Sequence, residues 1–144
     1  MAFSGNFLCT SFKVELMKGV HNFTAASNQF KLALYNNSSS FTAATTAYTS
    51  TNEISGTNYT AKGNFLTSVT PVASSTTALT DFADEVFSTV TISAVRGALI
   101  FNEAATSDPT VCVLDFGADK AASSGDFTIV FPTADASNAI IRIA

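Results

Sequence analysis

The sequence has little of the chemistry that enzymes and nucleic-acid-binding proteins use. Its 144 residues include one histidine, two cysteines and no tryptophan, and only 12% are Asp, Glu, Lys or Arg. The seven basic residues stand singly in a chain of net charge −4, so no basic stripe follows a phosphate backbone. No apolar run is long enough to span a bilayer. We therefore expect neither a nucleic-acid nor a membrane partner.

The sequence motifs of common enzyme active sites are also missing. The single imidazole, His21, has no nucleophile elbow beside it and cannot complete a metal site alone, so we expect a structural histidine. The seven glycines are widely spread and form no phosphate-binding loop. The start, MAFSGNFLCTSFK, lacks a basic segment followed by a long apolar one. We expect a non-enzymatic protein without cofactor or metal, made in the cytoplasm.

Cysteines and carboxylates have structural interpretations. Cys112 lies in the apolar run VCVLDF, where a small buried residue is expected, and we expect both it and Cys9 to be free thiols. Asp81, Asp84 and Glu85 form one acidic group, and Asp115 and Asp119 form another around Gly117. Such carboxylates commonly accept hydrogen bonds from nearby backbone N–H groups. A Ca²⁺ site is the alternative, because carboxylate and carbonyl oxygens suffice for it.

The residues that are abundant point to a protein covered by partners. Hydrophobic residues make up 47% of the chain and include thirteen phenylalanines, while much of the remainder is Ser, Thr, Asn and Ala. A surface of this composition has too few charges to prevent association. We therefore expect much of it to be buried by other proteins or by copies of itself, and we expect the isolated protein to self-associate.

Short apolar runs at strand spacing predict a mainly β fold. The run FKLALY (30–35) alternates, and later runs cover 65–72, 77–83, 89–103, 111–116, 127–131 and 139–143. Polar turns are predicted at 74–75, 107–109 and 123–125, and residues 81–87 are predicted as a loop with one helical turn. The chain length suits one domain, 1–144. We expect an antiparallel β-sandwich or a jelly-roll-like barrel.

The N-terminal part carries one helix and an arm. Phe12, Leu16 and Val20 recur at helical spacing, which predicts a helix over 10–20 that Thr10 or Ser11 caps and that ends near Gly19. Residues 1–9 precede it as an arm. Phe3, Phe7 and Leu8 have no strand pattern to bury them, so we expect them to contact a neighbouring subunit, and we expect removal of 1–8 to leave the β-domain folded.

The segment from Phe41 to Gly63 is the other candidate contact surface. It is nearly all Thr, Ala, Ser, Asn and Tyr, which predicts a long ordered loop with a short helical or extended piece at 48–54. Tyr48 and Tyr59 are its candidate contact residues. Most phenylalanines, by contrast, fall in or beside predicted strands and are expected in the core.

Several phrases of the sequence resemble a known family. These are FKVELMKGVHNF, FKLALYNNSSSF with AYTSTNEISGTNYTAKG, RGALIFNE, LDFGADK and the ending FPTADASNAIIRIA. Together they cover nearly the whole chain and are similar to small virion proteins encoded in tailed-bacteriophage structural modules. No catalytic motif is carried over with the resemblance.

The resemblance implies a capsid decoration protein, also called a cement protein. Many copies, often as trimers, would bind the outside of the shell over joints between major capsid subunits. The implied partners are the major capsid protein and copies of the chain itself, and the implied location is the capsid surface of a virion assembled in a bacterial host.

Two alternatives remain open from the sequence. A tail or fibre-associated virion protein that binds a receptor or glycan would use the same β-scaffold, with the 41–63 loop as its contact surface. An enzyme with a serine or carboxylate site is the third interpretation, which a loss of activity on substitution of His21 or Asp115 would support.

Overall fold

The computed structural model of the protein describes residues 3–24 and 29–144. Within them one short helix precedes most of the strands, and two strands of 18 and 20 residues form the largest unit. The elements are β1 (Phe7–Leu8), α1 (Thr10–Met17), β2 (Phe30–Tyr35), β3 (Asn64–Phe65), β4 (Val72–Ser74), β5 (Thr77–Thr80), β6 (Glu85–Asn102), β7 (Thr110–Ile129) and β8 (Ile141–Ile143).

The strands form two antiparallel sheets. The larger has the order β1-β7-β6-β2-β3 and the smaller has the order β4-β5-β8. Every paired strand in both sheets is antiparallel. The mainly β prediction is confirmed, and a sandwich-like arrangement of two open sheets fits better than a closed barrel.

A long bulged hairpin, β6 and β7, replaces several shorter strands of the prediction. The run 111–116 and residues 127–129 of the run 127–131 belong to one strand, and the turn predicted at 123–125 lies inside it. The small polar run between them stays extended because β6 pairs with it, as at Val90 with Gly125 and Ile92 with Ala122. Extra residues are absorbed as bulges, where Gly117 and Ser124 have φ of 74° and 49°.

Two other predicted boundaries were wrong. Residues 65–72 are not one strand, since β3 ends at Phe65 and β4 begins at Val72. The loop predicted over 81–87 is strand from Glu85 onward, because these residues pair with the end of β7. The turn at 107–109 is confirmed, and Ser107 and Asp108 there have positive φ.

Helix α1 is shorter than predicted. It begins at Thr10 and ends at Met17, and the prediction that Thr10 or Ser11 caps it was wrong, because Cys9 occupies the N-cap position without a side-chain hydrogen bond. Gly19, with φ of 72°, follows the C-cap in the left-handed conformation that terminates many helices. Val20 therefore lies outside the helix and is 36% exposed, whereas Phe12 is buried.

The N-terminal arm is part of the domain rather than a free extension. Phe7 and Leu8 pair with Val113 and Cys112 of β7. Phe3 is only 4% exposed and belongs to the core cluster. Its ring lies against Gly97, where any Cβ would collide with it. The expectation that the arm does not pack within the β-domain was wrong. The residues that it contacts, in β7 and at Gly97, are distant in sequence, so no local pattern revealed them.

Aromatic rings fill the core beside β2. Phe23 stacks on Phe30 with ring centroids 4.4 Å apart, and Phe82 packs within about 6 Å of both. His21 is buried among these rings, where its Nε2 lies 2.9 Å from Glu15 Oε2 and its Nδ1 lies 3.2 Å from Asn102 Nδ2. The prediction of a structural histidine is confirmed.

Both cysteines are buried and free. Burial raises the pKa of the Cys9 and Cys112 thiols, so both behave as small apolar core residues. Among the phenylalanines predicted in the core, Phe82, Phe87, Phe101, Phe127 and Phe131 are buried, while Phe65 is 50% exposed.

Candidate interaction surface

Tyr48 and Tyr59 point inward to one carboxylate and not outward to a partner. The Tyr48 hydroxyl donates to Glu53 Oε2 over 2.6 Å, and the Tyr59 hydroxyl donates to Glu53 Oε1 over 2.8 Å. The backbone N–H of Lys62 donates to the same Oε1 over 2.7 Å. These hydrogen bonds organise a half-buried side of the 41–63 loop around the carboxylate of Glu53.

The same cluster joins the loop to the sheet. The Tyr59 hydroxyl accepts the backbone N–H of Leu34 in β2 over 2.9 Å, and its ring stacks on Phe87 of β6. Burial raises the pKa of both tyrosines, and Glu53 raises each further. Neither hydroxyl ionises near neutral pH, so both remain donors. The long loop is ordered as predicted, but these two tyrosines fasten it to the domain and are poor contact residues.

The acidic groups also have backbone partners. Asp81 is fully buried and accepts the N–H groups of Phe82 and Ile140 over 2.8 and 3.1 Å. Asp84 accepts the N–H of Phe131 over 2.8 Å. Within residues 3–24 and 29–144, no three His, Cys, Asp or Glu side chains gather as a metal site would require. Backbone binding is thus confirmed for Asp81 and Asp84, whereas Glu85 accepts the side-chain Nδ2 of Asn64 over 2.7 Å.

Three adjoining concavities follow the outer side of β7, with volumes of about 370, 270 and 400 Å³. The first two share Asn6, Leu114, Ile140 and Arg142, and the first and third share Phe116, Ile129 and Val130. They therefore form one continuous depression, which we call the β7 groove. It runs from β1 along β7 to the segment after Ile129.

Two of the predicted contact residues line the β7 groove and three do not. Phe7 and Leu8 line its β1 end and are half-buried. Phe3 is covered by its own chain, so its side chain is not available to a partner. Tyr48 and Tyr59 lie at the Glu53 cluster, outside the groove.

The sequence analysis missed the most exposed groove residues. Val130 is 73% exposed, although it stands between the buried residues Ile129 and Phe131. This alternation in FTIVF, with period two, was a usable signal. Arg142 in AIIRI occupies a similar outward position beside the buried Ile141.

The charge of the groove is opposite in sign to that of the chain. Its one carboxylate, Asp115, accepts the N–H of Gly117 over 2.9 Å and that of Arg96 Nε over 3.2 Å. These donors lower the pKa of Asp115, so its carboxylate is ionised. The guanidinium of Arg96 balances this negative charge. Arg142 and Lys120 also line the groove, and among the described residues neither has a carboxylate within 4.0 Å.

The backbone edge of β7 beside the groove is largely open. β1 pairs with β7 only at Cys112 and Val113, and β6 occupies the opposite side of β7. In the described part of the chain no strand pairs with the outer side of β7 beyond Val113. At Asp115 the side-chain oxygen of Asn6 takes the backbone N–H over 2.7 Å. Beyond Val113 the strand is not a straight edge, because bulges at Gly117 and Ser124 interrupt it and the Phe116 and Phe127 rings lie 6.4 Å apart.

Comparison with protein-family models, with curated proteins and with solved structures finds no match. Of the helices in the described residues, none has the length and apolar character needed to cross a bilayer. The groove and the Glu53 cluster are thus the structural observations that bear on function.

Proposed function

We propose that this protein is a non-enzymatic phage structural protein that binds the outside of the capsid and stabilises joints between major capsid subunits. The β7 groove is the surface that engages the shell. The resemblance of the sequence to small virion proteins supplies the class of particle, and the groove supplies the means of attachment.

The observation that carries the proposal is the contrast between the interior and the groove. Inside the domain, Glu53, Asp81 and His21 are engaged by hydrogen bonds that hold loops and strands together. The groove instead presents apolar side chains together with Arg142 and Lys120, which have no carboxylate within 4.0 Å among the described residues. Interfaces between proteins combine these features, with an apolar centre and Arg enriched over other charges.

The remaining surface suits a protein present in many copies. Only 12% of residues are charged, and exposed large hydrophobic side chains such as Met17 and Phe65 lie away from the groove. Neighbouring copies on a shell would cover such positions, and simultaneous contacts would raise the overall affinity. Self-association of the isolated protein remains a prediction, and sedimentation as a monomer at micromolar concentration would contradict it.

Binding of the purified protein to particles that lack it tests the proposed function. Val130→Asp places a charge in the groove, and Val72→Asp places the same charge on another exposed valine in β4. We expect the wild type and Val72→Asp to co-sediment with capsids and to raise their resistance to heat. Val130→Asp should bind at least about tenfold more weakly, because the interface would bury an unpaired carboxylate.

Three results would contradict this proposal. The first is failure of the wild-type protein to bind capsids. The second is equal binding of the two variants, and the third is binding to purified tails or fibres instead of capsids. The last result would favour the adsorption-apparatus alternative. Folding of each variant is checked by its circular dichroism spectrum and thermal unfolding.

A further inference from the structure

We propose that the part of the β7 groove shared by its first two concavities is a carboxylate-binding subsite. In it, Arg142 and Asn6 bind an Asp or Glu side chain that a turn of the shell protein presents beside an apolar residue. The identity of the partner rests on the proposed function. The chemistry of the subsite follows from residues of this chain and can be tested without a capsid.

Two side chains with available N–H donors line the subsite. Arg142 and Asn6 each line both concavities. In the described part of the chain, no carboxylate lies within 4.0 Å of the Arg142 guanidinium. The Asn6 Oδ1 accepts the N–H of Asp115 over 2.7 Å, which leaves Nδ2 as a donor without an acceptor among residues 3–24 and 29–144. A guanidinium and an amide N–H together match the oxygens of a carboxylate.

The carboxylates of the chain nearest to the groove are already engaged. Asp115 accepts Arg96 Nε over 3.2 Å. Asp135 accepts Nδ2 of Asn138, a residue that lines the first concavity, over 2.9 Å. Neither carboxylate lies within 4.0 Å of Arg142. A carboxylate from outside therefore meets a guanidinium that this chain does not itself pair.

The wall of the subsite is held in place before any partner binds. It is formed by the segment that follows β7 and returns beside it. At one end the N–H of Phe131 donates to Asp84 Oδ1 over 2.8 Å. At the other end the N–H of Ile140 donates to the buried Asp81 over 3.1 Å, and between them Asp135 accepts two backbone N–H groups. Such preorganisation lowers the entropic cost of binding.

The shape of the groove favours a compact partner segment. The bulge at Gly117 bends β7, and the ring of Phe116 lies 6.4 Å from that of Phe127. Phe116, Val130 and Pro132 line the first concavity together with Arg142. The site therefore combines a short apolar hollow with one cation, which suits a turn that carries an acidic residue next to an apolar one.

A titration followed by nuclear magnetic resonance tests the subsite on the isolated full chain. The probe is 3-phenylpropionate, which joins a carboxylate to an apolar ring, and 3-phenylpropionamide is its neutral match. We expect only the carboxylate to shift the side-chain N–H signals of Arg142 and Asn6, with a Kd on the order of a few millimolar. The Nε–H signal of Arg96, which Asp115 already engages, is the internal control and should not move.

Binding to capsids that lack the protein tests the partner. Arg142→Gln should bind at least about tenfold more weakly than the wild type, because the carboxylate of the shell protein would lose its cation. Lys13→Gln is the matched control, since Lys13 on α1 is also exposed and has no carboxylate within 4.0 Å among the described residues. Its binding should not change.

The possible failures are distinguishable. Equal shifts with both probes, or equal shifts of Arg96 and Arg142, would overturn the subsite. Equal capsid binding by the wild type and Arg142→Gln would also overturn it and leave the proposed function intact. Failure of the wild type to bind capsids would remove the proposed function and with it the partner. A wild-type dimer that Arg142→Gln converts to a monomer would overturn the shell protein as occupant and make it a second copy of the chain.

Discussion

At the scale of single residues, Glu53 organises more of the molecule than any other carboxylate described here. Its two oxygens accept two tyrosine hydroxyls and a backbone N–H. Through Tyr59 it reaches the backbone of β2. Lys62, which follows this cluster, forms an ion pair with Asp108 at the hairpin turn over 2.7 Å. The 41–63 loop is consequently a fixed part of the domain.

The two tyrosines of this cluster should contribute differently to stability. Tyr59→Phe leaves the N–H of Leu34, a fully buried residue, without its acceptor, and we expect it to lower the free energy of unfolding by about 2–3 kcal/mol. Tyr48→Phe removes only a donor to Glu53 and should cost about 1 kcal/mol. Urea unfolding of both variants measures this difference. Equal losses would contradict the described role of Tyr59.

Asp81 should make stability depend on pH. Burial raises the pKa of this carboxyl, and the N–H groups of Phe82 and Ile140 partly offset the effect. Because the folded pKa lies above the unfolded value, the folded state binds the proton more tightly. The stability that protonated Asp81 confers is therefore present at low pH and is lost as pH rises through the folded pKa.

Substitution of Asp81 should remove this dependence. Asp81→Asn loses an acceptor at every pH, but it has no charge to bury. We expect the stability difference between wild type and Asp81→Asn to shift in favour of the variant as pH rises from about 3.5 to about 7. Urea unfolding at a series of pH values measures it, and parallel stability curves would contradict the raised pKa.

At the scale of elements, the N-terminal arm changes its expected role. Phe3 lies in the core, its ring centroid is 5.9 Å from that of Phe41, and β1 is a strand of the larger sheet. The expectation that the domain folds well without residues 1–8 is therefore revised. Their removal should both destabilise the domain and expose the socket at Gly97.

A pair of phenylalanine substitutions tests the revised role. Phe3→Ala should lower the free energy of unfolding by about 3–5 kcal/mol, as for other buried phenylalanines. Phe65→Ala is the matched control, since Phe65 is 50% exposed, and it should cost less than about 1 kcal/mol. If thermal or urea unfolding shows similar small losses for both, the arm is not integral to the core.

The parts of the fold that local pattern determines were predictable. Strand β2 follows directly from the alternation in FKLALY, and the end of α1 follows from Gly19. The continuity of β7 as one strand was not predictable, because its polar middle has a turn-like composition and is extended only by pairing with β6. The burial of Phe3 likewise depends on Gly97, and the Glu53 cluster depends on side-chain positions that the sequence pattern does not specify.

At the scale of the whole molecule, a hydrogen-bonded interior supports an exposed groove. Two sheets, the bulged hairpin and the fastened loop hold the β7 groove in place, and Val130 and Arg142 are exposed in it. Of this groove, the sequence analysis identified Phe7 and Leu8, because they had no evident burial. It missed Arg142 and Val130, because their shared location arises only when the chain after β7 returns beside it.

A cryo-electron-microscopy reconstruction of the phage particle proposed to carry this protein tests the capsid location. We expect density for this fold on the outside of the shell, over joints between major capsid subunits, with the β7 groove toward the shell. Density for the fold only in the tail or fibres, or its absence from the particle, would contradict the proposed function.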